Sequence, residues 1–281
     1  VAYKTYQNSV GFPSIVSALC PEPCKDVCPL KENGGSISLK LLEAASMNYA
    51  RNKEPDQYNM PQKDKCIAII GGGISGLACA LRLSTKKYNV TVFEKSNRIG
   101  GHLYDLLSPE IFLEDINLQF KYENYTLQLN TEVQDITSLD FDAIYIATGK
   151  QGNSFGLTLT KDEPYSTNHS GVFMGGSLIG TDTMQAIAQG LNVCSAIEGY
   201  LKTGQMNHVE ALSDSTKLTY DAIRVTPSTV VLPQNGTTYT KDETLAESKR
   251  CLKCTCDACV YYSPLLNYFK KFPKKITEEV E

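Results

Sequence analysis

The most regular run of apolar positions is "KCIAII", followed after a short gap by "LACALRLSTK". A brief continuous apolar stretch predicts a buried strand, and apolar positions at helical spacing predict a helix after it. "NVTVFEK" and "FDAIYIATG" predict two further strands. "GVFMGGSLIGTDTMQAIAQGLNVCSAIEGYL" then reads as strand, glycine turn and amphipathic helix. On that helix Ile187, Leu191, Cys194, Ile197 and Leu201 share one face, Asp182 or Thr181 is placed to cap the start, and Gly204 to end it. Strand and helix patterns alternate over residues 65–204, which predicts a parallel α/β sheet.

The flanks read differently. Residues 1–30 look loop-rich, and "ISLKLLEAASMNYA" predicts a helix. "RNKEPDQYNMPQKDK" is a polar connector. Beyond "KTGQ" comes a polar stretch with a strand-like run, "STVVLP", and a turn at Asn235-Gly236. The tail "KKFPKKITEEVE" reads as a solvated end, or as a contact for an acidic partner. The expected division is 1–60, a partial cysteine-bearing helical segment; 61–210, the α/β domain; and 211–281, a carboxy-terminal extension with a second cysteine cluster.

Between the first strand and its helix stands Gly71-Gly72-Gly73-Ile74-Ser75-Gly76, a G-x-G-x-x-G motif in the strand–turn–helix context that gives it meaning. Gly71 permits the turn, Gly73 lets the backbone approach a pyrophosphate, and Gly76 lets helix pack on strand. The helix N-terminus offers unpaired N–H groups to phosphate. Glu94 ends the second strand 18 residues beyond Gly76, where a carboxylate can accept hydrogen bonds from ribose hydroxyls. Dinucleotide binding is therefore expected. "SNRIGGHL", with its basic residue and paired glycines, suggests a loop closing over a second phosphate-rich face.

Composition narrows the function classes. The chain has 281 residues, 42% hydrophobic and 21% charged, enough to build a packed core. A net charge of −4 offers no basic surface for nucleic acid. No apolar run reaches the roughly 18 residues of a membrane span, and the start lacks a signal-peptide pattern, so no membrane partner and a cytoplasmic location are expected. The first residue is Val1 rather than Met, which leads us to expect a piece of a longer chain. Of the ten cysteines, Cys20, Cys24 and Cys28 form one set and Cys251, Cys254, Cys256 and Cys259 another. Such short spacings suit metal or cluster ligands, whereas Cys66, Cys79 and Cys194 sit in apolar stretches and read as small buried hydrophobes.

Taken together, "PCKDVCP", "GGGISGLACALRL", "VTVFEKSNRIGGHL", "LNTEV", "FDAIYIATG", "GVFMGGS" and "ESKRCLKC" resemble the glutamate synthase small-subunit family of flavoproteins with iron–sulfur segments. The resemblance implies a FAD/NAD(P)-binding Rossmann-like three-layer domain with cysteine-rich flanks. It implies FAD on the first glycine motif, with Gly71, Gly73 and Gly76 at the pyrophosphate, Glu94 at the adenosine ribose and Val133 beside adenine. Gly101 would lie near the pyrophosphate, and the turn at Gly176–Ser177 near the ribityl chain. Ile74, Ser75, Lys95, His102, Thr148, Gly149 and Met184 complete the candidate cofactor-binding set. His102 also reads as a solvent-facing loop histidine.

The sequence departs from the family in three places. Only 21 residues separate Gly149 from Gly171, too few for the inserted nicotinamide-nucleotide domain, since one βαβ unit takes roughly 30. Ser177 stands where the family carries Asp. Cys20, Cys24 and Cys28 are one thiolate short of the four that hold a 4Fe–4S cluster, and a fourth is expected from another segment or chain. The second set, with C-x-x-C-x-C-x-x-C spacing, could hold a cluster, a tetrahedral zinc or no metal. The expectation is an FAD-binding oxidoreductase module that passes electrons between flavin and iron–sulfur clusters of a larger assembly through a redox partner. The alternative is a degenerate, non-catalytic flavoprotein-like scaffold or interaction subunit that keeps the fold.

Overall fold

The apolar run at residues 66–70 becomes the middle strand of a five-stranded parallel sheet. The computed structural model describes residues 1–161, 163–206, 228–253 and 273–280. The strands are β1 (Cys66–Ile70), β2 (Asn89–Phe93), β3 (Thr126–Gln128), β4 (Ala143–Ile146) and β5 (Val172–Met174), in spatial order β3-β2-β1-β4-β5. Ile69 of β1 stands opposite Val92 on one side and Tyr145 on the other. Ile67, Ala68 and Ile69 are all fully buried, as a parallel strand covered on both faces requires. Between and after the strands run α4 (Ile74–Thr85), α5 (Pro109–Gln119) and α6 (Thr183–Thr203). The fold is a parallel α/β sheet, as the sequence pattern predicts, and is Rossmann-like, as the resemblance implies.

Side chains alternate across the sheet. Ala68, Ile70, Ile144, Ile146, Val172 and Met174 form one cluster, against which Val133, Phe141, Phe155 and Leu157 pack from the connecting loops. Elsewhere in this unit α4 and α6 pack directly on each other. Gly190 of α6 makes this close approach possible: a Cβ there would run into the Ser75 carbonyl oxygen and stand 2.9 Å from the Ala78 Cβ. Helix α6 starts and stops as its sequence signals. The Asp182 carboxylate accepts the Gln185 N–H at 2.8 Å in a capping box, and Gly204 closes the helix at φ 72°.

The chain divides into two compact units, Pro55–Ala211 and Val1–Glu54 with Leu212–Glu281. The second unit contains α1 (Ala2–Val10), α2 (Pro13–Leu19), α3 (Leu39–Asn48), α7 (Lys241–Arg250) and α8 (Pro273–Val280). Two expectations are corrected here. Residues 1–30, read as loop-rich, are largely helical, because Tyr3, Tyr6, Gln7 and Val10 recur at helical spacing and are buried together. The tail is not simply solvated, since α8 packs on α1, α3 and α7 and Thr277 is fully buried.

"STVVLP" forms no strand. Val230 donates its N–H to the Gly34 carbonyl at 2.8 Å, and Val231 donates to the Glu247 carboxylate at 3.2 Å. The predicted turn at Asn235-Gly236 is present, with the Asn235 side chain accepting from the N–H groups of Thr237 and Thr238. Glu247 is fully buried. It accepts from Ser38 N–H and pairs with Arg250 at 2.7 Å, and Arg250 in turn donates to the carbonyls of Gly35 and Ser228. This buried pair ties α7 to the turn before α3.

Candidate functional site

The sheet order fixes where a ligand can sit. From β1 the chain moves outward to β2 and β3, then returns to the other side of β1 as β4. The connections after β1 and β4 therefore diverge, leaving a crevice at the carboxyl ends of these strands. A groove of about 240 Å³ occupies that crevice. One wall is Gly71, Gly73, Ile74 and Ser75 after β1, and the opposite wall is Ala147, Thr148 and Gly149 after β4. Glu94 and Lys95 after β2, Gly101 and His102 from the glycine-pair loop, Val133, and Ser177 after β5 complete the convergence of predicted residues.

Sequence chemistry explains the shape. Gly71 has φ 113°, and a Cβ there would strike the Ala147 carbonyl, so a glycine is needed for both reasons. Gly76 lies behind the groove wall, where a Cβ would strike the Gly71 carbonyl and force α4 off its strand. Gly73 differs from both. It caps α4 at φ −75° and ψ 178°, and no heavy atom lies within 4 Å of where its Cβ would stand. The turn is held by the Gly71 N–H donating to the Phe93 carbonyl at 2.8 Å. The Gly100 N–H donates to the Gly72 carbonyl at 2.8 Å, so the second glycine loop clasps the first. At Gly101 the backbone comes so close that a Cβ would be 3.2 Å from the Gly73 Cα.

Glu94 is half-buried and already engaged. Its Oε2 accepts the Gly72 N–H at 2.7 Å, and its Oε1 accepts the Ser96 N–H at 2.8 Å. The Ser96 hydroxyl, 2.7 Å from both Oε1 and the Arg98 carbonyl, can donate to only one of them. A carboxylate offers about four acceptor positions, so at least one on Glu94 is left for a ligand hydroxyl. His102 is exposed, with Nδ1 2.8 Å from an Asp105 carboxylate oxygen. Ser75 Oγ and the Tyr145 hydroxyl are hydrogen-bonded at 2.8 Å, fixing the first turn of α4 to β4.

Of the predicted set, Gly76, Gly176 and Met184 do not line the groove. Gly176 donates its N–H to the buried Gln189 Oε1 at 2.8 Å, and Met184 is buried in the first turn of α6. Residues the sequence reading did not single out include Thr131, Glu132, Asn153, Phe155, Thr183 and Ala186. Most of these sit within a few positions of a predicted residue. Asn153 and Phe155 carried no such signal. They reach the groove because the Thr148 hydroxyl donates to the Asn153 carbonyl at 3.0 Å and folds that loop back.

The cysteines divide by environment. Cys79 and Cys194 are fully buried, as expected of small hydrophobes, and Cys66 is half-buried. Cys24 is in the core of the second unit, and Cys28 and Cys251 pack against that same cluster. Burial pushes the Cys251 thiol above its ordinary value, and the nearby Cys28 adds to this. Burial likewise raises the Cys20 thiol. Among the described residues, no three His, Cys, Asp or Glu side chains gather closely enough to hold a metal ion. Cys254, Cys256 and Cys259 lie outside the described residues. Among the described residues, no helix is long and apolar enough to cross a membrane.

Residues 69–133 match the NAD(P)-binding Rossmann-like domain family. The small chain of NADPH-type glutamate synthase from Mycobacterium tuberculosis is 33% identical over 152 residues, half of this chain and 31% of its own length. The beta subunit of NADPH-Fe(3+) oxidoreductase from Geobacter sulfurreducens is 28% identical over 142 residues, again half of this chain and 20% of its own. Half of this chain is thus related to the glutamate synthase small-chain-like oxidoreductases. The chain spans a third or less of the length of these two relatives. Among solved structures, a complex of 2-naphthoyl-CoA reductase with 2-naphthoyl-CoA is 29% identical over 36% of this chain and 16% of its own, with a TM-score of 0.28.

Proposed function

We propose that the unit Pro55–Ala211 binds FAD in this groove and acts as the flavin module of a larger cytoplasmic oxidoreductase, exchanging electrons with a redox partner. The observation that carries the reading is the meeting of the glycine turn, Glu94 and Thr148–Gly149 around one crevice at the switch point of the sheet. The residues fit the group. Gly73 leaves open space where a pyrophosphate would rest, and Glu94 keeps an acceptor position for a ribose hydroxyl. Val133 and Phe93 supply apolar wall at the adenine end, and Ser177 and Thr183 line the far end.

FAD, when bound, supplies chemistry that joins two-electron donors to one-electron acceptors. The chain's own part is to hold and orient it. The head of α4 presents backbone N–H groups to phosphate, and Gly101 closes over them. Residues 147–171, which join β4 to β5, contain no helix among the described residues. This supports a module without a nicotinamide domain of its own, whose electron donor or acceptor is a separate domain, subunit or substrate.

Among the described residues, Cys20, Cys24, Cys28 and Cys251 do not by themselves make a metal or cluster site. Cys28 and Cys251 both pack against the one core cluster that contains Cys24. A second reading, a nucleotide-binding scaffold without redox chemistry, is favoured by Ser177 in place of the family's Asp. Anaerobic purification followed by a visible spectrum tests the two. Flavin bands that bleach on dithionite addition support the module. A colourless protein that stays colourless after incubation with FAD supports the scaffold.

A further inference from the structure

Cys79 on α4 and Cys194 on α6 are separated by 115 positions in sequence, yet their sulfurs stand 3.8 Å apart in the helix interface. Both residues are fully buried. The Cys194 thiol is also 3.5 Å from the carbonyls of Cys79 and of Gly190, one turn earlier on its own helix. Small residues bring the two backbones close at this level. Gly190 leaves no room for a Cβ against the Ser75 carbonyl, and Ala78 packs on the same spot. Two cysteines facing each other across such an interface could simply fill space. Their sulfurs, however, are in direct contact.

We propose that Cys79 and Cys194 form an oxidisable dithiol that closes to a disulfide joining α4 to α6. The sulfurs must close from 3.8 Å to a bond of about 2.05 Å. In the reaction two S–H bonds break and one S–S bond forms. The two hydrogens and two electrons pass to a small neutral two-electron oxidant, such as the azo compound diamide, which becomes its hydrazine. Burial of both thiols excludes large or charged oxidants, so the bond forms at the rate of local opening of the α4–α6 interface.

Burial and the neighbouring sulfur push the Cys79 thiol well above its ordinary value, which makes its thiolate scarce and the closure slow. The half-buried Cys20, Cys28, Cys66 and Cys251 are therefore modified first.

The test is disulfide mapping of the full folded chain after diamide treatment. The sample is unfolded in guanidinium with N-ethylmaleimide present, digested without reductant and analysed by mass spectrometry. The expected result is a linked peptide pair carrying Cys79 and Cys194, two hydrogens lighter than the separate peptides and released by dithiothreitol. It is absent in C79S and in C194S. Recovery of both residues as singly alkylated thiols after full oxidation of the other described cysteines overturns the proposal, as does pairing of either with a terminal cysteine. Because the wild-type map alone decides this, a variant that fails to fold leaves the test intact.

Discussion

Gly73→Ala separates the ligand's requirement from the fold's. Gly73 caps α4 in a backbone conformation that alanine adopts freely, and the space its Cβ would enter is empty and faces the groove. Two small effects on stability oppose each other. Alanine is a poorer helix cap than glycine by up to about 1 kcal/mol, while loss of glycine's freedom in the unfolded chain returns about 0.4–1 kcal/mol. The apo protein is therefore expected to melt within about 2 °C of wild type. The added methyl would occupy the approach of the pyrophosphate, and overpacking of this kind costs about 1–3 kcal/mol. That corresponds to a dissociation constant raised by a factor of about 5–150. Thermal denaturation of the apo form and flavin-fluorescence titration with FAD give the two numbers. Unchanged FAD affinity, or a loss of affinity accompanied by a large fall in apo melting temperature, would refute the reasoning.

Four other outcomes follow from named contacts. In Gly76→Ala the new Cβ strikes the Gly71 carbonyl, so both melting temperature and FAD binding should fall together, the reverse of the Gly73→Ala pattern. Glu94→Gln places an amide donor against either the Gly72 or the Ser96 N–H, costing about 1–3 kcal/mol in stability, read by urea denaturation, as well as a ribose contact. Arg250→Ala strands the buried Glu247 carboxylate and is expected to destabilise its unit by about 3–5 kcal/mol, seen as an earlier urea transition that Pro55–Ala211 does not share. The Lys65 ammonium bonded to Asp142, aided by the Cys66 N–H, holds the Asp142 carboxyl below its usual range. A depressed carboxyl binds its proton later in the folded state than in the unfolded. Its contribution is present above the ordinary carboxylate value near 4 and lost as pH falls below it, so Asp142→Asn should flatten the acid limb of a melting-temperature profile.

Much of the α/β unit could be read from the chain because its signals were local. "CIAII", Gly71–Gly76 and "LACALRL" state strand, turn and helix in five, six and seven consecutive positions, and Asp182 and Gly204 mark both ends of α6. The amino-terminal helices are poorly legible because the cysteines of residues 20–28 have the spacing of a loop, while the burial of Tyr3, Tyr6 and Val10 depends on α3 and α8, far along the chain. "STVVLP" has the β-branched composition of a strand but bonds to a turn and a carboxylate, neither of which periodicity encodes. At the site, residues flanking the glycine motif announced themselves. Asn153 and Phe155 did not, because only the fold-back onto Thr148 brings them to the groove.

The account stands most directly on the identity of the nucleotide in the crevice between β1 and β4. Heat release of bound small molecules from anaerobically purified protein, followed by chromatography and mass spectrometry, reads it without assuming activity. The account predicts FAD approaching one per chain, either as isolated or after reconstitution. NAD(P) in its place, or no uptake of FAD by protein whose melting profile shows it folded, would contradict it.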